Sequence, residues 1–344
     1  MRPNDNNSDE KKGMSPLAGE RKTVRRRPWP ADTVRDKPRY ELSDTALFAQ
    51  SVVSPLRYPG AKRQLFHALR TIISANVPPP RLLIEPFCGG ATSALRLAGT
   101  GVVEHVILAD ADPLVAAFWH VAAFDTNWLV TAMKEEEVTI QRWDWWRLAR
   151  PTTRRDRALK CLFLNRTTFS GILHGRAGPI GGRAQTSTYK IDCRYGIAGL
   201  ERRIRAVGDL ADTGRLLDVW NCDWRDSLCR ARQFGGLTPD EIVVYLDPPY
   251  VEKAPELYEW SFESNQHEAL ATALADADGF QWLLSYDDSP VIRNLYADRA
   301  GYRLRTVEYR YTAAGSAVRK SKSELLVSNY PDVPNDLGSP KTGH

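Results

Sequence analysis

Short apolar runs, each closed by a polar, glycine-bearing or proline-bearing turn, recur along the chain and predict strands. The clearest is Ile242-Val243-Val244-Tyr245-Leu246, stopped by Asp247-Pro248-Pro249-Tyr250. Proline cannot continue a ladder, and five consecutive apolar residues suit a strand covered on both faces, so a central parallel strand is predicted here. Upstream, Leu82-Leu83-Ile84 runs into the turn Glu85-Pro86-Phe87-Cys88-Gly89-Gly90 and then into a helix-like stretch over 91–97; residues 102–110 predict the next strand. Near the end, residues 280–286, 303–311 and 324–328 predict further strands, with a small-residue, basic loop over 312–322. Residues 143–148 and 157–164 predict two amphipathic helices whose Leu, Phe and Trp side chains build a small core, followed by a glycine-rich loop over 171–182. Strands alternating with helices predict an α/β fold around a parallel sheet.

In such a sheet ligands bind outside the carboxyl ends of the strands, which is where the polar residues of this chain collect. Asp247 supplies an acceptor there, the rigid Pro248-Pro249 backbone can aim a carbonyl beside it, and Tyr250 offers a flat face for a nucleobase. The same four residues would also serve as an ordinary turn. Gly89 lets backbone approach a ligand closely, and Asp110 ends the next strand about 20 residues later, the offset at which a carboxylate reaches ribose hydroxyls. Asp110 could instead cap the helix that starts near Asp112-Pro113. The glycine spacing fits neither G-x-G-x-x-G nor a phosphate-binding GK[ST] loop, which favours S-adenosylmethionine over a dinucleotide or ATP.

With Arg57-Tyr58-Pro59-Gly60-Ala61-Lys62 ahead of the first of these pieces, the order of motifs resembles the Dam-like, alpha-group DNA adenine N6-methyltransferases over residues 54 to 330. Leu164-Asn165-Arg166, Gly171 and 319–326 add to the likeness. The resemblance implies a Rossmann-like S-adenosylmethionine-dependent methyltransferase fold with an inserted, mainly helical target-recognition subdomain. The implied division is a catalytic domain over 46–130 and 240–330, an insertion over 131–239, a disordered basic tail over 1–45 and a flexible tail over 331–344. It further implies cofactor contacts at Tyr58, Lys62, Glu85, Phe87, Gly89, Asp110 and Asp247, and catalysis by Asp247, Pro248, Pro249 and Tyr250. DNA contacts are implied at Arg166, Phe169, His174, Arg176, Arg319 and Lys320. Phe169 matches an aromatic that wedges beside the base pairs. The family's Tyr-Gly-Tyr-Asn is replaced by Thr167-Thr168-Phe169-Ser170 and its base-reading Arg by His174, so GATC is not implied as the target.

Charge placement points the same way. Of the 47 Lys and Arg residues, 15 fall in residues 142–205 against 4 Asp and Glu, whereas the whole chain is only +5. Clustered cations are an electrostatic footprint for phosphates, and double-stranded DNA is the partner expected; the run Arg154-Arg155-Asp156-Arg157 could equally be a solvated helix face. Five cysteines without a C-x-x-C pair argue against a disulfide framework or zinc site. No apolar stretch approaches 18 residues, and a cytoplasmic protein is expected, without metal or membrane, as a monomer or weak dimer. A cytosine N4 or RNA amino-methyltransferase would share nearly every residue named. A DNA-binding protein that has lost catalysis would not retain Asp247-Pro248-Pro249-Tyr250.

Overall fold

The structure, a computed structural model, describes residues 53–57, 62–249, 264–297, 299–312 and 319–337. Its organising element is β4 (Ile242–Leu246), every residue of which is buried. β4 lies between β1 (Leu82–Glu85) and β5 (Gln281–Asp287), parallel to both. β1 also pairs in parallel with β2 (His105–Asp110), and β2 with β3 (Leu216–Asn221). β7 (Arg319–Ser328) inserts antiparallel between β5 and β6 (Arg303–Thr312), giving the order β3-β2-β1-β4-β5-β7-β6. The expected α/β, Rossmann-like sheet is therefore present. Chain order runs outward from β1 through β2 to β3, then restarts on the other side at β4 and β5; this reversal is the switch point at which α/β sheets open a crevice.

Successive side chains of each strand enter opposite cores. Leu83, Val106, Val243 and Tyr245 face one hydrophobic cluster, and Leu82, Ile84, Ile107, Val244 and Leu246 face the other. The first is filled by α1 (Lys62–Ala75), α2 (Thr92–Gly99), α3 (Pro113–Phe124), α4 (Thr126–Glu135), α5 (Ile140–Leu148), α6 (Arg154–Thr167) and α7 (Ile197–Asp212). The second is filled by α8 (Trp224–Arg232), α9 (Ser264–Ala275) and α10 (Pro290–Tyr296). α3 (PLVAAFWHVAAF) is apolar almost all round because helices cover the side turned away from the sheet.

Several expectations are corrected. β2 begins at His105 rather than 102, because Gly101 and Val102 donate their N–H groups to Ala98 and Leu97 and close the end of α2, with Gly101 in the left-handed region. The two helices of the expected insertion build no core of their own: Trp143, Trp146, Leu162 and Phe163 join Phe118 and Leu108 in the sheet's own cluster. β3 and α8, inside the expected 131–239 insertion, belong to the sheet and its covering layer. Arg319 and Lys320 lie in β7, paired with Thr312 and Tyr311, rather than in a loop. Residues 331–337, expected to be flexible, dock. The Asn76 side chain donates to the Asp332 carbonyl at 2.8 Å, Arg305 donates to the Val333 carbonyl at 3.0 Å, and Val333 and Leu337 pack on the core. The expected basic tail over 1–45, and residues 313–318 of the expected loop, lie outside the described residues.

Candidate active site at the carboxyl edge of the sheet

Five parallel strands, β3, β2, β1, β4 and β5, end side by side, so the residues that follow them share one edge. β1 ends in Glu85, which is buried and accepts from the Ala94 N–H at the start of α2. The turn that follows is drawn to β2: Cys88 N–H donates to the Ala109 carbonyl at 3.0 Å, and Gly89 N–H donates to Asp110 Oδ2 at 2.9 Å. Gly89 (φ 41°) and Ala91 (φ 47°) both take left-handed backbone to make this turn. The Trp119 indole donates to the Gly89 carbonyl at 2.7 Å and holds the turn against α3. Phe87 is half-buried against the second core.

Asp110 closes β2 and is clasped from both sides. Besides Gly89, its carboxylate accepts from Asp112 N–H at 2.9 Å, while its carbonyl accepts from Cys222 N–H and the Asn221 side chain at the end of β3. Asp112, not Asp110, caps α3, accepting from Leu114 N–H at 2.8 Å with Pro113 at the first helical position. Asp110 is thus left for other work. Burial, reinforced by the Asp112 carboxylate, raises its carboxyl to about 7. Burial also pushes the Cys88 thiol well up, so no thiolate nucleophile forms there. The contribution of β3 was missed from sequence; the signal available was the run Leu216–Asn221 ending in a polar residue just before a helix start at Asp223-Trp224.

On the other side of β1, Asp247 follows β4. Its Oδ1 accepts from Ser285 Oγ at 2.9 Å, and Ser285 Oγ lies 2.9 Å from the Tyr245 hydroxyl. Ser285 has one proton and gives it to Asp247, so Tyr245 donates to Ser285. Burial and the Asp247 charge keep that phenol protonated. Asp247 and Pro249 are half-buried and Pro248 is buried. Ser285 is a positioning group that sequence reading passed over, although a serine inside the apolar and aromatic run Trp282-Leu283-Leu284-Ser285-Tyr286 is the mark of a buried polar contact. Tyr58 and Tyr250 lie outside the described residues, as do the side chains of Lys62, Arg319 and Lys320.

The residues expected to touch DNA separate sharply. Phe169 stands 67% exposed, where Ser170 and Gly171, both at positive φ, turn the chain out of α6. Arg176 is exposed. Arg166 is not at the surface: it is buried, its guanidinium donates to the Pro55 carbonyl, and burial lowers it to about 9. His174 is half-buried, with Nε2 2.7 Å from Asp112 Oδ2, so it points back to the Asp110 turn rather than outward. Arg155 pairs with Asp125 at 2.6 Å, Arg154 contacts His120, and Arg157 donates to the Pro151 carbonyl. Arg154 and Arg155 make these contacts from the exposed start of α6, and Arg157 is half-buried.

Against known sequences, the family described as D12 class N6 adenine-specific DNA methyltransferase matches residues 58–176 and 229–313. The chain belongs to this family. The two matched blocks hold the Glu85 turn, Asp110, α6 and Phe169 in one and Asp247 with Ser285 in the other, so the D12 methyltransferase signature spans both sides of the crevice. Residues 177–228, with α7 and β3, fall between the blocks. Two solved structures of the rRNA methyltransferase aviRa from Streptomyces viridochromogenes align with the chain at 16% identity. That at 1.5 Å covers 85% of this chain and 94% of its own, with a TM-score of 0.39; that at 2.4 Å covers 87% and 88%, with a TM-score of 0.32. No curated protein matches in sequence. Among the described residues no helix is long and apolar enough to cross a membrane, and no group of three or more His, Cys, Asp or Glu residues could hold a metal ion.

Proposed function

We propose that this D12 methyltransferase transfers a methyl group from S-adenosylmethionine to the N6 amino group of an adenine flipped out of duplex DNA. The observation that carries the reading is Asp247, held by Ser285 and Tyr245 at the end of the central strand, across β1 from the clasped Asp110.

The donor set fits the cofactor. Asp110 has two backbone donors and, once ionised, keeps lone pairs for ribose hydroxyls, and the turn from Glu85 supplies a floor without bulky side chains at Gly89 and Gly90. Tyr58 and Lys62 are assigned to the same pocket from the family's motif order. When bound, the cofactor supplies an electrophilic methyl on a sulfonium. The residues of the chain do the remainder.

The adenine amino lone pair is delocalised into the ring, so attack requires drawing the nitrogen toward tetrahedral geometry. Asp247 and the Pro248 carbonyl accept the two amino hydrogens and favour that geometry, Pro249 stiffens the backbone, and Tyr250 stacks on the base. Ser285 fixes the Asp247 rotamer by occupying one carboxylate oxygen. Fixed acceptors and near-attack alignment account for several kcal/mol of such a barrier. A base inside a duplex cannot reach the crevice, and flipping costs a few kcal/mol that DNA contacts offset. We assign Phe169, which is exposed, to filling the space the base leaves, and Arg176, Arg319 and Lys320 to contacts with the DNA backbone. Replacing Asp247 with Ala should abolish methyl transfer to DNA while leaving DNA affinity within a few-fold. Near-normal turnover in that variant would refute the mechanism.

A further inference from the structure

The loop that follows α6 is fastened to the cofactor side of the crevice at two points. At its start, the Asn165 amide donates to both the Arg57 and Gly171 carbonyls, and Asn165 Oδ1 accepts from Arg57 N–H. Gly171 is at φ +77°, and a Cβ there would lie 2.7 Å from the Arg57 carbonyl, so only glycine lets the two segments touch. Further along, His174 Nε2 meets Asp112 Oδ2 at 2.7 Å. Arg147 from α5 holds the carbonyls on either side of it, those of Leu173 and Gly175. A carboxylate can only accept, so Nε2 carries the proton.

Asp112 therefore serves three partners at once. Its N–H donates to Asp110 Oδ1, its Oδ1 accepts from Leu114 N–H, and its Oδ2 accepts from His174. These bonds run without interruption from the acid assigned to the ribose to His174, beside the exposed Gly175 and Arg176 of the loop that begins next to Phe169. We propose that His174 is a positioning residue that latches loop 171–182 to the Asp110–Asp112 turn, so that filling the cofactor pocket orders the loop before DNA engages it. The proposal rests on Asp110 being a cofactor contact. It also reassigns His174: a base reader would alter sequence preference and leave the cofactor pocket untouched, whereas a latch couples the two sites, and coupling is reciprocal.

Hydrogen–deuterium exchange on the full chain, with and without S-adenosylhomocysteine, tests this. In the wild type the nucleoside should slow exchange of amides in 171–182 by about fivefold or more. In His174→Ala that protection should vanish although the nucleoside still binds, and His174→Gln, which keeps a donor of similar reach, should restore it. Binding by the wild type without any response in 171–182, or a full response in His174→Ala, would overturn the latch and leave the pocket standing. Failure of the wild type to bind S-adenosylhomocysteine would instead overturn the reading of the pocket, and the latch with it. The wild-type response is decisive even if a variant does not fold.

Discussion

Asp110 sits where burial and a neighbouring carboxylate raise its titration from 3.8 to about 7, and the consequences have opposite signs for stability and for binding. A carboxyl whose folded value exceeds its unfolded one stabilises the fold most at low pH, and that contribution is lost as pH rises through about 7. Ribose hydroxyls prefer the ionised acceptor. Cofactor affinity should therefore climb as pH rises toward 7, by up to about tenfold per unit, and level off above it. Calorimetry across that range checks this, and Asp110→Asn should bind more weakly with a flat profile. Arg166 behaves in a different way. Its guanidinium is spent on the Pro55 carbonyl, so Arg166→Ala should cost about 1.5–3 kcal/mol in denaturant unfolding and leave the salt dependence of DNA binding unchanged. Asp110 and Asp247 were legible in the sequence because an apolar run that stops at an acid locates that acid at a strand end. The burial of Arg166 and the Asp112 contact of His174 were not legible, because residue type cannot say which carbonyl or carboxylate lies across the fold from it.

At the scale of elements, the concentration of cations in 142–205 overstates the surface available to DNA. Arg142 pairs with Glu136, Arg155 with Asp125 and Arg183 with Asp144, while Arg147, Lys160 and Arg166 are tied to backbone carbonyls. Many of these charges fasten α5, α6 and the loop to one another. That is also why the helices could be read from periodicity while their shared core could not: burial of α6 from Ala158 to Thr167 depends on α3, which arrives from another part of the chain. Phe169, like Leu148 at the end of α5, is a large apolar side chain left exposed. Phe169→Ala should slow transfer on duplex DNA more than on mismatched or single-stranded DNA, where unstacking is already cheap. Equal slowing on all three would remove it from flipping.

Across the whole molecule, the seven-stranded order puts the assigned cofactor acid and the assigned catalytic acid on opposite sides of β1, at the carboxyl edge of the sheet. The alternation of strands and helices made the α/β class legible. The antiparallel insertion of β7 and the docking of 331–337 were not, since both depend on long-range partners such as Asn76 and Arg305. Removing residues 331–344 should cost about 2 kcal/mol, from the partial burial of Val333 and Leu337 and their hydrogen-bonded neighbours, and a thermal melt should register it. The central claim, that this edge methylates adenine N6, is met most directly by expressing the protein in a host free of DNA methylation and analysing nucleosides from its DNA and RNA by mass spectrometry. N6-methyladenine in DNA with the wild type, and none with Asp247→Ala, is the predicted result. Methylated cytosine N4, methylation confined to RNA, or N6-methyladenine that persists in the variant would contradict it.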